Sequence, residues 1–374
     1  MSKGAYIGVN GVAKKVKGSY IGVDNVAKKI DKIYVGIGGV ARLYFDSNSS
    51  SGGVLTYYGT VTALSSARRW FAATTVGKYA LFGGGVNSSK SAVVDAYDAS
   101  LTRSTPTVLG KARSYLAATT VGNYALFGGG AVGSFTSFVD AYDTSLTRSM
   151  PTGLNTSTYQ LSATTVGNYA LFGGGRGNAA TSVMTAYDTS LTRSKPTALN
   201  KARYGLSATT VGTYALFAGG NTDEAKSPVI EAYNTSLTKK SVSSLSSARS
   251  GLAATAVGNY ALFGGGYDTS FLTNLIAYDT SLTKSTPTAL SSARAGLAAT
   301  AVGGYALFGG GYNSGSPKYS AVVDAYDASL TRSTPTALST ARQYLSATTV
   351  GNYALFAGGY TGSYSGVVDA YKII

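Results

Sequence analysis

The fold class the sequence predicts is all-β: seven repeats of four strands, preceded by a small set of hairpins. Three observations predict it. The tetrad Tyr-Ala-Leu-Phe begins at Tyr79, Tyr124, Tyr169, Tyr214, Tyr260, Tyr305 and Tyr353, so its spacings by subtraction are 45, 45, 45, 46, 45 and 48. No segment sustains a helical period, and short β-branched and aromatic runs alternate with Gly and Asp-Ser turn signals. Each unit holds four such runs, and four strands in about 45 residues make one blade of a β-propeller.

The first 46 residues form the hairpin arm. Tyr6-Ile-Gly-Val, Tyr20-Ile-Gly-Val and Tyr34-Val-Gly-Ile recur with a period of 14, each followed by a two-residue turn, Asn10-Gly11, Asp24-Asn25 or Gly38-Gly39. Three small hairpins bury too little to stand alone, so residues 1–46 are expected to pack on another copy or another protein. Residues 47–53, rich in Ser and Gly, read as a linker.

Residues 54–374 form the seven-bladed propeller. In each unit, strand a is an Ala/Thr-rich run, whose small residues suit a crowded axis, and strand b is the Tyr-Ala-Leu-Phe tetrad. Strand c ends in Ala-Tyr, and strand d follows as in Leu330-Thr-Arg-Ser-Thr-Pro-Thr-Ala-Leu338. Five of the seven prolines fall at one equivalent place in strand d, which marks an edge strand because proline lacks a ladder donor. Strand d occurs only six times after the first tetrad. Residues 55–64 end in Thr-Val-Thr-Ala-Leu and match its ending, so this segment is expected to complete the blade containing Tyr353 and Tyr371 and to close the ring.

The order strand b, Gly-Gly, variable loop, Val-x-x-Tyr-Asp and edge strand resembles the Kelch repeat family over residues 54–371. The Trp usual in Kelch edge strands is missing, and the chain's single Trp is Trp70. The Tyr-x-Gly-Val hairpins resemble N-terminal segments of tail-associated proteins from phages and prophages of Gram-positive bacteria. Together these resemblances imply a Kelch-like propeller, anchored to other virion proteins or to further copies of itself by its arm. They place it in a virion made in the host cytoplasm, or in an extracellular particle encoded by a prophage.

Composition removes much chemistry. The chain has no Cys, hence no disulfides, thiolate metal sites or Cys nucleophile, and it tolerates any redox compartment. It has no His, which removes the commonest general base, the Ser-His-Asp triad and nearly all catalytic zinc and copper sites. The copper chemistry of Kelch-type sugar oxidases therefore does not carry over. No secretory h-region and no run of roughly 18 apolar residues appears, so a soluble chain without membrane insertion is expected. The net charge of +15 favours an anionic partner such as nucleic acid, a membrane surface or an acidic polysaccharide. No nucleic-acid-binding signature supports the first, and Lys14-Lys15 and Lys28-Lys29 read as guarded hairpin edges.

Three recurrent motifs invite a functional reading. The pairs Asp95/Asp98, Asp140/Asp143 and Asp324/Asp327 offer carboxylates, but the first is Thr185, Glu231 or Ile276 elsewhere, and the second caps a turn. An Arg opens strand a in six units (Arg68, Arg113, Arg203, Arg249, Arg294, Arg342). These form either an anion funnel or structural pairs with a turn Asp or a backbone carbonyl. The glycine runs lack the Lys-Ser/Thr and the helix of a phosphate loop. No catalytic, cofactor or metal site is expected.

Divergence between units is concentrated in the b–c loops, which in a meander share a face with the d–a connections. Loops on a rigid scaffold collect binding residues. The candidate ligand-binding residues are Arg69, Trp70, Tyr115, Tyr159, Tyr204 and Tyr344 at the start of strand a, and Tyr267, Tyr312, Tyr319, Tyr360 and Tyr364 in the loops. Exposed aromatics beside hydroxyl and amide groups suit sugar rings. The leading expectation is a virion protein whose propeller attaches to a carbohydrate of the bacterial surface, or to another anionic polymer. A ligand-free decoration or baseplate component is the alternative, and a glycan-active propeller enzyme a third reading.

Overall fold

The computed structural model describes residues 53–374 throughout and, before them, six strands. Those strands pair as three antiparallel hairpins: Tyr6–Val9 with Val12–Lys15, Tyr20–Val23 with Val26–Lys29, and Lys32–Ile37 with Val40–Asp46. The turns expected at 10–11, 24–25 and 38–39 lie outside the described residues, as does nearly all of the linker. The chain divides into two compact units, Met1–Val54 and Leu55–Ile374.

The second unit is all-β, with no helix among the described residues, and consists of seven four-stranded antiparallel sheets arranged as a β-propeller. Blade two is representative: strand a is Ala117–Val121, b Tyr124–Gly128, c Val139–Tyr142 and d Arg148–Ser149. Strands a and b are joined by the tight Gly122-Asn123 turn, with Val121 opposite Tyr124. Alternation in strand a follows from the pleat: Ala117, Thr119 and Val121 are buried while Ala118 and Thr120 are half-buried.

Strand d departs from expectation. Outside blade seven it is two or three residues long, and the repeated prolines follow it rather than sit in it. A residue without an N–H ends the pairing just after Arg-Ser. In blade seven the outer position is filled by Leu55–Val61, which pairs antiparallel with Tyr364–Ile373, Asp369 lying opposite Thr60. The last sheet is thus built from both ends of the propeller, and the ring closes.

The core lies between blades. Seven hydrophobic clusters each combine two neighbouring blades, the closing one joining Val350, Leu355 and Val368 to Phe71, Phe82 and Tyr97. The strand-b glycine explains how close the blades come: a Cβ on Gly83 would lie 2.8 Å from the ring of Phe127 in the next blade. Every strand-c tyrosine hydroxyl donates to a carbonyl of the preceding blade's outer segment, as Tyr142 does to Thr107 at 2.7 Å. Around the axis, strand-a threonines hydrogen-bond from blade to blade, as between Thr74 and Thr120 at 2.8 Å.

The repeated arginines are structural, and their partner is the acid that the sequence reading set aside as irregular. Arg68, Arg113, Arg203, Arg294 and Arg342 are fully buried and pair within their own blades with Asp95, Asp140, Glu231, Asp324 and Asp369 at 2.6–2.7 Å. Blade three replaces both members, with Thr158 and Thr185. Blade five replaces only one. Arg249 is fully buried opposite Ile276; its Nη1 reaches the carbonyls of Gly265 and Asn274, and its Nε and Nη2 have no acceptor. Burial without a counter-charge pushes this guanidinium down to about 10. Its folded-state pKa lies below the unfolded value, so folding is penalised at neutral pH, and the penalty fades as pH rises beyond about 10.

Ile276→Asp restores the pair and raises unfolding stability by roughly 1–3 kcal/mol, although it puts an acid into a core. Arg68→Met strands Asp95 and costs about 3–5 kcal/mol, whereas Arg249→Met strands no acid and costs far less; urea unfolding measures all three. Removal of residues 1–64 takes the outer strand from blade seven and lowers the unfolding midpoint, whereas removal of 1–46 leaves the midpoint of the propeller unchanged.

Candidate ligand-binding face

One face of the disc is built where the segment entering strand a meets the start of the b–c loop. Isolated bridges join them in all seven blades, from Arg69 with Val86 through Tyr159 with Arg176 to Gln343 with Tyr360. Little acidity is left for this face. Of the 13 acids in residues 55–374, five are buried in the arginine pairs, and Asp98, Asp143, Asp188, Asp279 and Asp327 accept backbone N–H bonds in the c–d turns. Only Asp223, Glu224 and Asp268 remain, all in b–c loops, and Asp223 pairs with Arg176 at 3.0 Å.

At the axis the face opens into a cavity of about 260 Å³, lined by Phe71, Leu116, Leu161, Leu206, Leu252, Leu297 and Leu345 and rimmed by one residue per blade. In blade order from the seventh, the rim is Tyr344, Trp70, Tyr115, Gln160, Gly205, Gly251 and Gly296. All seven have left-handed backbone, with φ between 54° and 65°. Their backbones link around the axis: Tyr115 N–H donates to Trp70 O at 2.8 Å and Gln160 N–H to Tyr115 O at 2.9 Å. Glycine adopts this conformation freely and other residues do so at a cost. Three blades use Gly, while four contiguous blades carry large side chains. The rim is therefore half wall and half gap.

The wall belongs to a continuous aromatic arc. Trp70 stacks on Tyr115 at 4.3 Å, and Tyr115 meets Tyr159 edge-on at 6.1 Å. In the other direction Trp70 meets Tyr344 at 5.5 Å, Tyr344 meets Tyr312 at 5.7 Å, and Phe271 links Tyr312 to Tyr267. Tyr319, Tyr360 and Tyr364 form a second group, edge-to-face at 6.1 and 5.7 Å. Arg69 joins the two, with its guanidinium 3.8 Å from the Trp70 ring and 4.3 Å from Tyr360. Ten of the eleven candidate residues thus fall in one assembly. Tyr204 stands apart, against Arg176 at 4.8 Å.

The rings of Trp70 are partly covered by their neighbours. Tyr115 stacks on Trp70 and the Arg69 guanidinium lies over its ring, so less of its ring surface is free than for an isolated indole. The Trp70–Tyr115 pair acts as a partition, because it also lines a second cavity of about 530 Å³ with Val86, Lys90, Phe135 and Tyr159. Burial pushes the Tyr115 and Tyr344 phenols well above their ordinary range, so both are neutral donors at physiological pH. Sequence reasoning missed Gln160 and the three rim glycines as site residues. The available signal was register: every rim residue lies two positions after Arg68 or its equivalent.

Left-handed strain at the rim is directly measurable. Gly205→Ala lowers unfolding stability by about 1–2 kcal/mol. Gln160→Gly is neutral or stabilising by up to about 1 kcal/mol. A marked loss in the Gln160 variant would show that its side chain, not strain, dominates there.

The fold and this face define the chain as a seven-bladed β-propeller with one elaborated side. It is similar to the solved structure of YjhT, with a TM-score of 0.55 and 12% identity, over 83% of this chain and 95% of that one. As many as 630 solved chains match it, so the architecture is too widely shared to choose a function. No family model and no curated protein matches the chain.

Proposed function

We propose that the chain is a non-enzymatic virion protein of a phage or prophage, whose Kelch-like propeller binds a carbohydrate of the bacterial surface through the face that bears the aromatic arc. The observation that carries this reading is the arc itself. Aromatic side chains and neutral phenols flank two cavities on the one face where the repeats diverge. Pyranose rings present apolar C–H faces and hydroxyl rims, which such a surface meets with ring faces and hydrogen-bonding edges. In this reading the hairpin arm, residues 1–46, anchors the protein to other virion proteins or to further copies of itself. The small number of acids left outside ion pairs and turns speaks for binding rather than glycan hydrolysis, which needs a carboxylate pair.

A binding screen of the full chain against bacterial cell walls and a glycan array tests the reading. Tyr360→Ala and Tyr267→Ala each weaken binding at least tenfold, about 1.4 kcal/mol, with little change in melting temperature. Asn123→Ala, in the a–b turn on the opposite face, leaves binding unchanged. Binding to no glycan or wall would leave the ligand-free structural role, and turnover of a glycan would point to an enzyme.

A further inference from the structure

Arg69 is the one part of the arc whose chemistry the sugar-stacking argument leaves unused. It differs from the buried arginine beside it in sequence. Arg68 faces Asp95 at 2.7 Å, whereas no carboxylate lies within ion-pair distance of Arg69 among the described residues. Its guanidinium is held instead by ring faces: Trp70 at 3.8 Å, Tyr360 at 4.3 Å, Tyr364 at 5.6 Å and Tyr344 at 6.0 Å. Its Nε is buried without an acceptor. Aromatic faces stabilise the cation over its plane but satisfy none of its in-plane N–H groups. The result is a half-buried cation, stacked on aromatic rings and without a counter-charge, whose guanidinium fork is suited to bidentate pairing with an oxyanion.

Position supports the same conclusion. Trp70, against whose ring the Arg69 guanidinium rests, walls both cavities, and the larger of them is lined by another cation, Lys90; Arg69 itself lies outside both linings. No acid lines either cavity. A net charge of +15 adds long-range attraction but does not choose a face.

We infer that the propeller recognises an anionic glycan, with a carboxylate or phosphate oxygen pair of the ligand on the Arg69 guanidinium and its sugar ring against the Trp70–Tyr115 partition. This rests on the carbohydrate-binding reading and narrows it to acidic polymers. The chemistry is shared by uronic-acid and phosphodiester-linked glycans, and separate probes distinguish them.

The test uses the full chain against matched oligosaccharides: an oligogalacturonate, its neutral methyl ester and a glycerol-phosphate oligomer, alongside an array of neutral glycans. Trp70 is the only tryptophan, so its fluorescence reports this site alone. At least one charged probe is expected to bind and shift that emission, with the neutral ester at least tenfold weaker. Arg69→Met, which keeps the packing stem, loses at least tenfold in affinity for the charged probe, and Arg69→Lys recovers only part of it. Lys78→Met, in an a–b turn on the opposite face, changes nothing; an equal loss there would reduce the effect to net charge and overturn the inference. Neutral glycans bound as well as charged ones, or binding unchanged in Arg69→Met, would also overturn it while leaving the carbohydrate reading intact. Binding to no glycan of either kind would remove both. Melting temperatures of the variants separate lost binding from lost folding.

Discussion

Contact between neighbouring blades is the constraint on which everything else rests. A four-stranded sheet of this size has no core of its own; both faces must be covered, and only another blade can cover them. Hence the clusters that span blades, the Phe127 ring seated on Gly83, and the tyrosine hydroxyls tied to the blade before. An open chain of blades would leave two faces bare. Sharing the last sheet between Leu55–Val61 and Tyr364–Ile373 closes the ring, so the two ends of the propeller hold each other in place.

That closure explains where variation and strain are tolerated. The a–b and c–d turns repeat almost unchanged because each is built against its own blade and the next: a Cβ on Gly122 would meet Thr189 of blade three at 3.1 Å. The b–c loops reach beyond these contacts and diverge. At the axis, seven left-handed residues are imposed by the architecture. Four blades nevertheless place a tyrosine, a tryptophan or a glutamine there, and the aromatic ones are held by stacking on one another and by Arg69.

The buried arginine pairs show how much a repeat can reveal once its partners are known. Where Thr158 replaces the arginine, Thr185 replaces the acid, and the blade loses two charges together. Ile276 breaks this rule and leaves Arg249 uncompensated. Neighbouring blades and the closed ring hold the fifth blade in spite of that cost.

The sequence alone determined the number of blades, the order of strands, the shared closing sheet and the side on which the repeats diverge. These are consequences of local pattern and of counting, and they need no knowledge of distance. Only the tertiary structure decided which residues meet. Arg68 and Asp95 lie 27 positions apart, and an acid that is Thr, Glu or Ile elsewhere looked irregular until the arginine opposite it was seen. Arg69 and Tyr360 come together across the ring closure from opposite ends of the propeller. That Tyr115 and Arg69 lie against the Trp70 rings could not be read from the sequence, which lists aromatic residues without saying which faces are already covered. Ring stacking and ion pairing act over a few ångströms, and only the closed ring sets which side chains come that near.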